Sequence, residues 1–173
     1  MANNAAFDIL YREYYVRVFG LCRRLLNDPD LVEDAVQESF MKAYRNFRKY
    51  RPETPFWQWI AAIANHHCID ILRQRNRHAV RFDEDEELPD NDDLTDTVIS
   101  DLISVQDAES LNAAVAQLPD KYRIPLVLAY FNQSTYDEIA QQLDVTRNHV
   151  GVLILRAKQQ LRKSLNRQSE PSA

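Results

Sequence analysis

His66, His67 and Cys68 stand side by side, and these are side-chain types from which metal sites and nucleophilic catalysts are built. Their spacing denies them that use. They fall within a helical pattern, where adjacent residues point about 100° apart and do not converge on one ion. No paired carboxylates accompany them, and the chain carries neither a phosphate loop nor a nucleophile motif. A small metal-dependent nuclease using this run lacks its other parts. The expectation is no catalytic residue, no metal and no cofactor.

The chemistry that the spacing does allow is non-covalent. Thr146, Arg147, Asn148 and His149 open the last helical pattern of the chain, directly after the turn Asp144-Val145-Thr146. In a helix-turn-helix the first residues of the second helix meet base edges in the major groove. There arginine can hold guanine and asparagine adenine, each through two hydrogen bonds. Thr146 is placed to offer its hydroxyl or N–H to a phosphate. Farther along, Val150, Ile154, Ala157, Leu161 and Leu165 repeat at helical spacing and form the inward face. Val152, Leu153 and Leu155 then read as surplus apolar surface, touching thymine methyls or packing on a protein.

The elements that must position these residues are all helices. Phe7, Leu10, Tyr11, Tyr14, Val18, Leu21 and Leu25 make one stripe over residues 5–27. Asp28 caps a second helix with Pro29 at its first position, running to about Tyr50. Its stripe is Leu31, Ala35 or Val36, Ser39 or Phe40, Ala43 and Phe47. Acidic residues gather at its start and basic ones at its end, as the helix dipole favours. After the break at Pro52 and Pro55, Thr54 caps a third helix with the stripe Phe56, Ile60, Ile63, His67 and Ile71. Trp57 and Trp59 cannot both join that stripe, so at least one is expected to be exposed. Later, Leu111, Val115 and Leu118 predict a short helix, residues 121–131 another, and Ser134 or Thr135 caps a third, with Glu138 placed for a capping box.

The 173 residues are 45% apolar and 27% charged, as in a globular chain, and only 2 are glycine. No stretch is long and apolar enough to span a membrane, and the N-terminus shows no secretory signal. Cys22 and Cys68 read as buried free thiols of a reducing compartment, hence a cytoplasmic location. The net charge of −5 conceals a segregation. Residues 1–82 balance at +4, 83–110 at −12 and 111–173 at +3. Two mildly basic bodies flank an acidic tether, an arrangement compatible with nucleic acid despite the acidic total.

LVEDAVQESFMKAYR followed by TPFWQWIAAIANHHCIDILRQRNR resembles the core-binding and promoter-melting region of bacterial sigma factors. LPDKYRIPLVLAYFNQSTYDEIAQQLDVTRNHVGVLILRAKQQLRKSL resembles their promoter-reading fourth region. Both in this order, with only a linker between, resemble the small extracytoplasmic-function (ECF) group of the sigma-70 type. The resemblance implies an all-α chain of two small helical domains, 1–82 and 107–168, joined by a flexible acidic linker, 83–106, and followed by a disordered tail, 169–173. It implies that Glu33, Asp34, Gln37 and Glu38 dock on core RNA polymerase, at the clamp coiled coil; these four do share or neighbour one helix face. Residues from Arg51 through Thr54 to Phe56 resemble the loop that captures a flipped base of the minus-10 element. Trp57 and Trp59 resemble the aromatics near strand separation, where stacking of a base is worth about 1–3 kcal/mol. Arg73, Arg75 and Arg77 would hold phosphates. Asn65 and His66 are the expected base-reading positions, and they depart from the family, which commonly has a basic residue and an asparagine there. Thr146, Arg147, Asn148, His149, Arg156 and Lys158 would serve the minus-35 element, although the family usually carries basic or polar residues at Gly151, Val152, Leu153 and Leu155.

The implied partners are the beta and beta-prime subunits of core polymerase, promoter DNA and an anti-sigma factor, without membrane insertion. The acidic run is either a plain tether or a nucleic-acid mimic for a basic channel of the polymerase. A stand-alone helix-turn-helix regulator with an N-terminal sensor domain is the competing function; it leaves the tryptophan-bearing helix and its arginines without a task.

Overall fold

In a computed structural model the described residues are 2–75, 82 and 108–169. The expected linker 83–106, Arg77 and residues 170–173 of the tail lie outside them. The chain divides into two compact units, Met1–Arg77 and His78–Ala173. Every regular element among the described residues is helical, as the composition and periodicity require.

The first unit is three helices, α1 (Ala2–Leu26), α2 (Pro29–Asn46) and α3 (Phe56–Arg75), each packed on the other two. Asp28 caps α2 as expected, its carboxylate accepting from the Asp30 N–H at 3.1 Å, with Pro29 at the first position. A 3₁₀ turn, Phe47–Lys49, closes the chain's path out of α2. Thr54 does not cap α3. It is exposed in a turn, donating its N–H to the Arg51 carbonyl at 3.0 Å, and the Pro55 carbonyl accepts the first helical bond.

Two stripes differ from the sequence reading. On α2 the core takes Val32 rather than Leu31, together with Ala35, Val36, Ser39, Phe40 and Ala43. Ser39 is tolerated there because its hydroxyl donates to the Ala35 carbonyl at 2.6 Å. On α3 the buried face is Trp57, Ile60, Ala61, Ala64, Asn65, Cys68, Ile69 and Leu72, joined at its start by Phe56. Ile63, His67 and Ile71 lie on the flank, half-exposed. Both patterns repeat at helical spacing. The small side chains decide between them, since alanine and cysteine facing inward let α1 and α2 approach closely, and the large aliphatics alone do not reveal this.

The second unit is α4 (Ala108–Gln117), α5 (Asp120–Tyr130), α6 (Tyr136–Leu143) and α7 (Arg147–Ser169), with α7 packed against the other three. That central position settles Val152 and Leu153 as packing within the protein and not as free apolar surface. They are 3% and 1% exposed, because a helix with three neighbours is apolar on more than one face. Leu155 keeps partial exposure. The α6 start carries the full capping box. The Thr135 hydroxyl accepts the Glu138 N–H at 3.2 Å, and the Glu138 carboxylate accepts the Thr135 N–H at 2.8 Å. Asp144 adopts the left-handed conformation, φ 56°, that ends α6 and turns the chain into α7.

Candidate nucleic-acid interface

The side chains at the front of α7 are set by its cap. The Thr146 hydroxyl accepts the His149 N–H at 3.1 Å, so the oxygen expected to serve a phosphate already closes the first turn. Arg147 and Asn148 are exposed beside it. The Arg147 guanidinium lies 3.8 Å from the Asp137 carboxylate of α6, a solvent-exposed pair worth little in stability. His149, expected as a base reader, is 4% exposed and faces the core, since the helical turn that brings Arg147 and Asn148 outward carries the next residue inward. Arg156 and Lys158 are half-exposed, and the Lys158 ammonium sits 5.0 Å over the Tyr130 ring of α5. The outward surface of the first turn therefore narrows to Thr146, Arg147 and Asn148.

In the first unit, Glu33, Asp34 and Gln37 are exposed on one face of α2 and Glu38 is half-buried, its carboxylate 4.0 Å from Arg45. The same face runs on through Met41 and Tyr44, 49% and 48% exposed, which with Tyr11 and Phe40 border a groove of about 470 Å³ between α1 and α2. Large exposed apolar side chains beside a charged face mark a protein-binding surface. Sequence reasoning missed them, although Gln37, Met41 and Tyr44 follow each other at spacings of four and three.

The loop 51–55 is held by aromatic rings. Tyr50 packs edge-on against Phe56 at 5.5 Å and tilts over Trp59 at 5.2 Å, and its hydroxyl donates to the Thr54 carbonyl at 2.8 Å. Arg51 and Thr54 stay exposed, whereas Phe56 is buried under Tyr14 and Tyr50. The expectation that one tryptophan is exposed does not hold. Trp57 is 8% exposed and covered by the Arg17 guanidinium at 3.8 Å, a cation–π contact; Trp59 is half-buried. Trp57 belongs to the inner face of α3, so it has no ring surface free for a base. Asn65 is fully buried with neither amide atom hydrogen-bonded.

His66, Arg73 and Arg75 are exposed along the outer side of α3. The His66 ring donates from Nδ1 to the Ala62 carbonyl at 2.8 Å, which turns Nε2 outward. Arg75 is engaged by the Asp28 carboxylate, and this pair depresses the Asp28 pKa. Between α2 and α3 lies an open cleft of about 490 Å³, with Trp59 and Ile63 as apolar floor and Lys42, Lys49, His66 and His67 around it. The Lys42 ammonium donates to His67 Nδ1 at 3.1 Å. Burial and that neighbouring cation lower the His67 pKa, which favours the neutral ring. A floor for stacking beside flexible cations suits one nucleotide of a single strand. Along the sequence Lys42 and Lys49 look like ordinary basic residues in the C-terminal part of a helix, where the dipole favours them, and only the packing of α3 on α2 sets them beside Trp59. Cys22 and Cys68 are buried free thiols, and the hydrogen bond between them, reinforced by burial, pushes the Cys68 thiol up.

Comparison with known proteins decides the family. Residues 10–78 match Sigma-70 region 2, and residues 108–161 match Sigma-70, region 4. The chain belongs to the sigma-70 family. Within it, this sigma factor is of the ECF group. It is 28% identical over 169 residues to the ECF RNA polymerase sigma factor SigW of Bacillus subtilis, covering 92% of this chain and 89% of that one. It is 32% identical over 171 residues to ECF RNA polymerase sigma factor SigE of Mycolicibacterium smegmatis, covering 97% of this chain and 65% of that protein. In fold it is similar to the sigma factor RpoE of Bartonella quintana, solved with the anti-sigma factor NepR, at a TM-score of 0.63 and 17% identity over 93% of this chain and 97% of that one. It is also similar to CnrH, solved with the cytosolic domain of CnrY, at a TM-score of 0.57 and 20% identity, covering 96% and 91%. Among the described residues of this sigma factor, no helix is long and apolar enough to cross a membrane.

Proposed function

We propose that this ECF sigma factor docks on core RNA polymerase through the exposed face of α2, selects promoters through two DNA surfaces, and performs no covalent chemistry itself. Glu33, Asp34 and Gln37, flanked by Glu38, take a basic helical surface of the polymerase, and Met41 and Tyr44 extend the contact over the neighbouring groove. The cleft floored by Trp59 and edged by Lys42, Lys49 and His66 takes a nucleotide of the opened minus-10 strand, with Arg51, Thr54 and Arg73 along its path. Arg147 and Asn148 read the upstream element. Each DNA surface is small. Seated together on one platform, each raises the effective concentration of the other. The work is cytoplasmic, where polymerase is, and an anti-sigma partner that covers the α2 face would silence it.

The observation that carries this reading is the pairing, within one three-helix unit, of an exposed acidic and apolar face on α2 with a cation-edged aromatic cleft at α3. Its test is charge reversal: Glu33→Lys with Asp34→Lys, in the full chain. Retention on immobilised core polymerase should fall at least about tenfold while the circular-dichroism spectrum is unchanged. Undiminished retention would remove α2 from the docking surface. Tight binding of promoter duplex without polymerase would favour a stand-alone regulator instead.

A further inference from the structure

Gly151 is one of only two glycines in the chain, and it sits one turn into α7, just past Arg147 and Asn148. Glycine within a helix weakens it relative to alanine, because it loses more backbone freedom on ordering. Two structural reasons could excuse it here, and neither applies. Its backbone does not have positive φ. A Cβ placed at 151 would meet only the Tyr136 ring, at 3.8 Å, an ordinary van der Waals contact that alanine would make without displacement. The fold of the second unit therefore leaves the missing side chain unexplained.

The position on the helix supplies a reason. His149, Val150, Val152, Leu153 and Ile154 are all buried. The surface that continues from Asn148 along α7 passes through Gly151 and then Leu155, both half-exposed. The reading turn is thus followed by a gap and then by an aliphatic side chain. We propose that Gly151 is a specificity-determining contact position, where the missing side chain admits the major-groove edge of duplex DNA against the backbone of α7. The helix sits deeper by the depth of that gap, which brings Arg147 and Asn148 within reach of base edges. The base pair opposite Gly151 meets no hydrogen-bonding side chain, so it is read by shape and by an apolar neighbour, Leu155, as a thymine methyl would be. This rests on α7 being the DNA-reading helix.

The test uses Gly151→Ala and Gly151→Leu in the full chain with core polymerase. The readout is the ratio of transcripts from a promoter recovered from genomic fragments and from the same promoter with its upstream element scrambled. Gly151→Ala should raise the melting temperature of the second unit by a few degrees. It should nevertheless lower the transcript ratio about tenfold, with core binding unchanged, and Gly151→Leu should abolish the preference. Stability and selectivity moving in opposite directions is what a merely structural glycine would not produce. An unchanged ratio for Gly151→Ala would overturn the proposal. So would a lowered melting temperature, which makes the glycine structural, or a loss confined to core binding, which gives the surface to the polymerase. Arg147→Ala and Asn148→Ala run alongside. If they too leave the ratio unchanged, α7 does not read DNA at all; if they lower it while Gly151→Ala does not, only the inference about Gly151 fails.

Discussion

Replacing Trp57 by alanine tests the reassignment that the structure makes. The indole is 8% exposed, enclosed on the inner face of α3, with one ring face under the Arg17 guanidinium at 3.8 Å. Truncating a buried tryptophan removes its transfer free energy and leaves a cavity, together about 3–5 kcal/mol. Loss of the cation–π contact belongs within that figure at its exposed-site value, about 0.5–1 kcal/mol. A domain is typically stable by about 5–15 kcal/mol, so Trp57→Ala should consume a large part of the first unit's reserve. Urea unfolding followed by far-ultraviolet circular dichroism measures it without relying on the fluorophore removed. Trp59→Ala serves as the comparison: that ring is half-buried over the α2–α3 cleft, and its loss should cost less stability but impair promoter opening. The reasoning fails if Trp57→Ala stays within about 1 kcal/mol of the parent and yet loses permanganate reactivity of the opened strand. That result would mean the indole leaves its place to meet DNA.

Thr135→Ala removes the hydroxyl half of the capping box on α6, leaving the backbone N–H that Glu138 accepts, and should cost about 1 kcal/mol in the second unit, read by thermal melting; Thr135→Ser should restore most of it. Asn65→Leu removes two buried amide atoms with no hydrogen-bond partner and should stabilise the first unit by about 1–3 kcal/mol in urea titrations; destabilisation would reveal a partner for the amide. His67 has a lowered pKa, from burial first and from Lys42 second, against which Glu38 and Asp70 act weakly. The unfolded chain therefore takes up this proton first. The stabilisation is full above the ordinary imidazole value of about 6.5 and declines as pH falls below it towards the folded value. His67→Gln should flatten the loss of stability on acidification from pH 7, and an unchanged pH profile would contradict the assignment.

Local chemistry was the legible part of the sequence. Asp28-Pro29 and Thr135 with Glu138 gave two helix starts correctly, because caps depend on residues within one turn. The all-α class followed from periodicity and scarce glycine, and the exposed faces of Glu33, Asp34, Gln37, Arg147 and Asn148 followed from spacing. What failed depended on neighbours remote in sequence. The α3 face was misplaced because both candidate stripes have helical period, and only packing on α1 and α2 selects the one carrying Ala61, Ala64 and Cys68. That rotation buries Trp57 and Asn65 on the inner face of α3. Val152 and Leu153 looked redundant because a single stripe suffices for a helix at the edge of a unit; α7 lies at the middle of its own. The cleft beside Trp59 needs residues from α2 and α3 together, so no single window of sequence displays it.

The most direct test of the whole account is run-off transcription from genomic fragments by purified core polymerase, with and without this chain. The account predicts that core alone gives no discrete starts. With the chain added, transcripts should begin at defined sites that require both an upstream and a downstream element, while the chain alone binds those fragments only weakly. Failure of the chain to bind core, or discrete starts that survive scrambling of both elements, would contradict it.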